Sequence, residues 1–120
     1  MTKKTLVLGA SLKPNRYSNL AIHRLVTNNI PTSAYGLKKG SVFGILIDNQ
    51  LVNLKDIHTI TLYLNPKRQE AFYDYILALR PKRVIFNPGT ENHELMSLLQ
   101  KNKIAFEIAC TLTLLATHQY

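Results

Sequence analysis

At 120 residues the chain has the length of one domain and enough material to bury a core, and 46% of its residues are hydrophobic. No apolar run approaches the roughly 20 residues of a membrane span, and Met1-Thr2-Lys3-Lys4 leads into an apolar run of strand length only, which predicts neither an anchor nor a signal peptide. Fifteen Lys and Arg against seven Asp and Glu leave a formal charge of +8, favouring an anionic partner, while the single cysteine, Cys110, predicts a reducing, cytoplasmic setting.

Residues 4–8 (KTLVL) form a leucine-rich and β-branched run that ends at Gly9, the pattern of a central strand. From residue 18, the spacing of Leu20, Ile22, Leu25 and Val26 predicts an amphipathic helix. Ser18 or Asn19 caps it, and Asn28-Asn29-Ile30-Pro31 ends it. Residues 32–35 (TSAY) read as a second short strand, stopped by Gly36-Leu37-Lys38-Lys39-Gly40. Residues 42–47 and 50–52 flank Asp48-Asn49 as a small hairpin or an irregular excursion, and residues 54–57 give a short turn or one helical turn.

Residues 59–64 (TITLYL) are the next buried strand. Pro66 suits the first turn of a helix to about residue 79, with Phe72, Ile76 and Leu79 on one face. Arg80-Pro81-Lys82 breaks the chain before another buried strand at 83–86 (RVIF). Asn87-Pro88-Gly89-Thr90 is a loop whose Thr90 caps a helix through about residue 102; a strand at 104–108 and a short helix at 111–118 follow. Alternating buried strands and helices predict one Rossmann-like α/β domain over residues 1–120. Its sheet is mostly parallel, of about five strands, with helices on both faces. There is no internal repeat, low-complexity tract or linker.

Ligands of such sheets bind at the carboxyl ends of the strands. The loop after the first strand holds Lys13 and Arg16, the loop after the second Lys38 and Lys39, and the segment after TITLYL Lys67 and Arg68. Three neighbouring loops that each carry a cation pair predict a trough able to hold several phosphates, with the N-terminus of the first helix adding N–H donors. In the first loop Gly9 permits a sharp turn and Ala10 a close approach. Ser11 and Ser18 offer hydroxyls, Lys13 a point charge, and Arg16 a fork that matches a phosphate.

The run G-A-S-L-K-P-N-R-Y-S, from Gly9 through Tyr17 to Ser18, resembles the G-x-S-x-x-P-x-R-x-S loop of the small stand-alone CoA-binding proteins. These share their domain with the CoA-binding part of the succinyl-CoA synthetase alpha subunit. TITLYLNP resembles the strand and polar turn that flank the adenine in that family, RVIFNPGTEN resembles its strand-to-glycine segment, and Ile108-Ala109-Cys110 its last strand. The resemblance implies CoA or acyl-CoA as ligand. Gly9, Ala10, Ser11, Lys13, Arg16, Tyr17 and Ser18 would lie at its phosphates or ribose, Lys38 or Lys39 at the 3′-phosphate or pyrophosphate, Leu64, Asn65 and Pro66 at the adenine, and Gly89 at the facing loop. The chain departs from the family at the second-strand turn, which lacks a Pro-x-Asn-Pro form, and at Asn87-Pro88, where relatives carry a Gln near the glycine.

Catalytic and metal residues are not expected. His93-Glu94 is not H-E-x-x-H, because residue 97 is Ser97, and His23, His58, His93 and His118 are scattered without ligand spacing to Cys110. Glu91 and Glu94 suit the positive end of a helix, and Cys110 suits a structural position. The sequence therefore predicts a non-catalytic CoA- or acyl-CoA-binding protein whose partner is a small nucleotide ligand. A homo-oligomer or a partner enzyme is compatible with it. The alternative is an NADP-dependent oxidoreductase or another nucleotide-binding Rossmann protein, although the loop lacks the second and third glycines and Tyr35 stands where an acid would hold a ribose. A nucleic-acid-binding protein ranks third. No recognition helix or RNP-type aromatic pattern is present, so neither a nucleic acid nor a membrane is expected as partner.

Overall fold

The computed structural model describes residues 2–120. Seven strands form one sheet: β1 (Thr5–Ala10), β2 (Thr32–Gly36), β3 (Gly40–Val42), β4 (Ile45–Asp48), β5 (Thr59–Leu62), β6 (Arg83–Phe86) and β7 (Ala105–Ile108). Their order is β3-β4-β2-β1-β5-β6-β7, and all pairs are parallel except β3 with β4. The helices are α1 (Tyr17–Thr27), α2 (Pro66–Gln69), α3 (Tyr73–Leu79), α4 (His93–Lys101) and α5 (Thr111–Ala116).

Alternation along the strands builds two cores. Leu6 and Leu8 of β1 join Ile60, Leu62, Val84 and Phe86 on one face, beneath Ile76 of α3 and Leu95 and Leu99 of α4. Val7 and Ala10 join Ala34 and Ile47 on the other, beneath Ile22 and Leu25 of α1 and Leu115 of α5. Each fully buried Leu or Ile contributes roughly 1.5–3 kcal/mol relative to exposure, so the apolar runs read as strands are also what fixes the layers. The second face turns polar below β5 and β6. There Arg83 Nε donates to Thr59 Oγ1 at 2.9 Å, its guanidinium lies 4.4 Å from the centre of the Tyr120 ring, and Glu107 Oε2 stands 3.5 Å from Nη1.

The expected single α/β domain layout with a mostly parallel sheet is the one found, but seven strands replace about five because the excursion joins the sheet. Its hairpin turns at Phe43-Gly44, not at Asp48-Asn49. Both turn residues have positive φ, 51° and 84°, a conformation that Gly44 adopts without strain and that matches strand twist. Asp48 instead accepts the N–H of Gln50 at 3.0 Å and closes a local turn.

The helix expected from Pro66 to residue 79 is broken by a 3₁₀ turn, Glu70–Phe72. The break sets the Phe72 ring 5.3 Å from Tyr35 and lets the Tyr73 hydroxyl reach Glu94 Oε1 at 3.0 Å.

Candidate functional site

The chain runs from β1 outward to β2 and β4, then crosses back to β5 on the other side of β1. This reversal between β1 and β5 opens a crevice at their carboxyl ends, where open α/β sheets take ligands. Register places Ala10 beside Gly36, Leu8 beside Leu62, and Leu62 beside Phe86, so the loops leaving these strands share one edge.

Two glycines draw those loops together. Gly9 has φ +101°, and a Cβ built on it would stand 2.9 Å from the carbonyl carbon and oxygen of Tyr63. Its lack of a side chain therefore serves the approach of the segment after β5 to the first loop. Gly40 leaves room for Leu12, whose methyl would lie 2.5 Å from a Cβ there, and so joins the first loop to the one carrying Leu37, Lys38 and Lys39.

Helix α1 is capped two residues before the first of the expected caps. Arg16 occupies the cap position with extended backbone and no side-chain cap, while Ser18 and Asn19 lie buried inside the first turn. Asn19 Nδ2 donates to Ser11 O at 2.9 Å, and Ser11 Oγ accepts the N–H of Lys13 at 3.1 Å, which holds the loop folded over the helix end. The N–H groups of Tyr17 and Ser18 have no partner among the described residues, and the first turn holds no acid. A bare, acid-free helix start presents a positive dipole end and free N–H donors.

Lys13, Arg16, Lys38, Lys39, Lys67 and Arg68 are all exposed, and among the described residues the one salt bridge, Arg83 with Glu107, involves none of them. Lys67 and Arg68 stand on the short helix α2 and not on a loop. Apolar surface is interleaved with these charges: Tyr17 is 70% exposed and Leu37 73%.

Asn65, expected at an adenine, spends its Oδ1 on the N–H of Arg68 as the cap of α2, with Pro66 in the first turn. Leu64 is buried against Gly9. Gly89 has φ +90° with open space where a Cβ would be, and its N–H donates to Glu91 Oε1 at 2.8 Å. Glu91 thus precedes α4, and only Glu94 lies in that helix's first turn. The cap of α4 is Asn92 rather than Thr90, whose hydroxyl turns back to Asn87 O at 2.7 Å.

The residues that hold the crevice's other wall escaped the sequence reading. Asn87, 2% exposed, donates to Thr61 Oγ1 at 2.7 Å and Leu62 O at 2.8 Å, and accepts the N–H of Thr111 at 2.9 Å. Gln69 Nε2 donates to Leu64 O and Thr90 O, both at 2.8 Å, and its Oε1 accepts from Asn92 at 2.9 Å. One polar network therefore ties the ends of β5 and β6 to the starts of α4 and α5. Its sequence signal is an amide directly after an apolar strand, where a buried polar group needs protein partners.

Cys110 caps α5, half-buried. Burial pushes its thiol up, but the hydroxyl and N–H of Thr113 and the N–H of Leu112 outweigh this and leave it below the usual value. Burial holds the neighbouring Tyr63 phenol well above its ordinary range, hence neutral. Among the described residues no three His, Cys, Asp or Glu side chains gather to hold a metal. A cavity of about 390 Å³ lies between α1 and α5, beside Leu20, Arg24 and Leu112, and one of about 410 Å³ beside Lys3, Pro31 and Tyr120. Neither is lined by Lys13, Arg16, Lys38, Lys39, Lys67 or Arg68. Among the described residues no helix is long and apolar enough to cross a membrane.

A family model described as CoA binding domain matches residues 3–116. No curated protein matches the chain. Among solved structures, an uncharacterized protein superposes with a TM-score of 0.96 at 47% identity, covering 100% of this chain and 99% of its own. A hypothetical protein from Pyrococcus horikoshii OT3 gives 0.84 at 22% identity, covering 93% of this chain and 80% of its own. A Thermus thermophilus protein gives 0.85 at 20%, covering 98% and 91%. The last two likenesses speak to the fold.

Proposed function

We propose, from the fact that this chain belongs to the CoA binding domain family, that it binds CoA or acyl-CoA as a non-catalytic module, with the phosphates at the start of α1. The observation that carries this reading is the bare, acid-free helix N-terminus flanked by exposed Lys13, Arg16, Lys38 and Lys39. CoA pairs three phosphates with an adenine and an apolar arm, and the groove pairs cations with the exposed Tyr17 and Leu37. The residues present fit the ligand: N–H groups and a guanidinium for phosphate, Tyr17 and Leu37 for its flat and apolar parts. The absence of an acid at the end of β2, where Tyr35 and Gly36 stand, supports CoA over NAD. When bound, CoA would supply a thiol as an acyl carrier. The chain's own residues hold phosphates and leave the rest of the ligand accessible along the open groove.

Calorimetry and thermal melts with CoA, acetyl-CoA, NAD and NADP test this. CoA at 100 times its Kd is expected to add about 2.7 kcal/mol of stability. Arg16→Ala is expected to weaken CoA by about 1–3 kcal/mol, the loss of a charge-assisted hydrogen bond, with the melting temperature of the free protein unchanged. Stabilisation by NADP without stabilisation by CoA overturns the reading. Separate Lys38→Ala and Lys39→Ala titrations assign the second-loop contact.

A further inference from the structure

The six cations of the groove leave most of the positive charge unexplained, and much of the rest lies at the opposite edge of the sheet. Lys3 and Lys4 lead into β1, Lys55 into β5, Arg80 and Lys82 into β6, and Lys101 and Lys103 into β7. These are four adjacent strands. Hydrogen bonds join their leading loops: His58 N–H donates to Lys4 O at 2.8 Å, Lys82 N–H to His58 O at 2.8 Å, and Lys4 Nζ to Lys55 O at 3.0 Å. The register of Arg83 with Ala105 brings in the last loop.

All these cations are exposed except Lys4, which is half-buried, and the one carboxylate in the same loops is Asp56. Helix dipoles account for Arg80 and Lys101 at the ends of α3 and α4, and Lys3 Nζ donates to Tyr120 O at 2.7 Å, which leaves Lys55, Lys82 and Lys103 without such an account. His58, at the centre, is held below its ordinary value by burial and then by Arg83, Lys3 and Lys82, so the positive field converges there.

We propose that this edge is a sequence-independent docking surface for the phosphate backbone of a duplex nucleic acid, separate from the groove at the other edge. The chemistry favours this occupant. Of the large exposed apolar side chains, Leu51 and Val52 stand at the start of the connection that carries Lys55, and none lies in the loops of Lys3, Lys82 or Lys103, so most of the surface has neither the apolar centre of a protein interface nor a wedge for a membrane. It also has no exposed aromatic on which unpaired bases would stack. Four strands about 4.8 Å apart span about 15 Å, the rise of roughly four phosphates on one strand of a duplex. A surface that contacts only the backbone needs no recognition helix, which is why the sequence pattern argued against a nucleic acid.

The test is fluorescence anisotropy of the full chain with a labelled 20-base-pair DNA duplex, in 50–200 mM KCl and saturating CoA. Binding is expected with a log–log salt slope of roughly −3 to −4. Lys82→Glu with Lys103→Glu is expected to weaken it at least tenfold, leaving the melting curve and CoA titration unchanged. An NMR titration of His58 provides a second readout, its midpoint rising when the duplex binds. No binding at 50 mM KCl overturns the proposal, as does displacement of the duplex by CoA or full affinity in the double variant. Tighter binding to polyglutamate or to phosphatidylserine vesicles also overturns it. CoA binding without duplex binding refutes this proposal alone, and the reverse refutes only the CoA reading.

Discussion

Gly9→Ala is expected to lower stability by about 3 kcal/mol, roughly 12 °C in Tm for a domain of this size. Two costs add. At φ +101° any L side chain is strained, and the new methyl stands 2.9 Å from the backbone of Tyr63, which cannot rotate away as a side chain would. Relief requires the segment after β5 to retreat from the first loop, which widens the crevice, so CoA affinity is expected to fall with stability. Gly89→Ala is the control. It shares a positive φ of +90° but meets open space, so it carries the conformational cost alone, about 1 kcal/mol. Equal losses at the two positions, measured by urea unfolding, would show that the approach of Tyr63 to Gly9 has no energetic weight.

Asn87→Ala is the second large loss, about 3 kcal/mol. The substitution strands Leu62 O and the N–H of Thr111, both buried, at roughly 1–3 kcal/mol for each unsatisfied group. Because Thr111 begins α5, hydrogen exchange is expected to quicken along Thr111–Ala116 before it does in the central strands. Asn87→Asp is expected to be worst at neutral pH, where it buries a carboxylate. It recovers in part as pH falls, since burial raises the folded-state pKa above the unfolded one and the protonated group offers one O–H donor. Uniform exchange rates across the molecule in Asn87→Ala would remove the amide from its role as a tie between β6 and α5.

The central strands were legible because a parallel strand buried on both faces is nearly all apolar or β-branched, as LVL, TITL and RVIF are apart from Arg83. Pro66 at the first turn of its helix was legible for an equally local reason, the fixed φ of the proline. The expectation that the first loop takes phosphates rests on residue types that carry that chemistry wherever they stand. The caps were not. Ser18, Asn19 and Thr90 have the right side chains, yet burial and competing partners, Ser11 O for Asn19 and Asn87 O for Thr90, took each of them away from the helix end.

Gly9 shows the same limit. Its presence in a tight turn is evident from the sequence, but only the fold reveals that the space it leaves is filled by Tyr63 and not by a ligand. Periodicity, which is local, determined the layers and the order of elements, and residue type determined the chemistry of the first loop. Strand order is non-local: it depends on which loop crosses β1, and no window of sequence contains both sides of that crossing. The tertiary structure therefore decided which loops meet at the crevice, how Asn87 and Gln69 brace its wall, and that the remaining cations gather along the opposite edge.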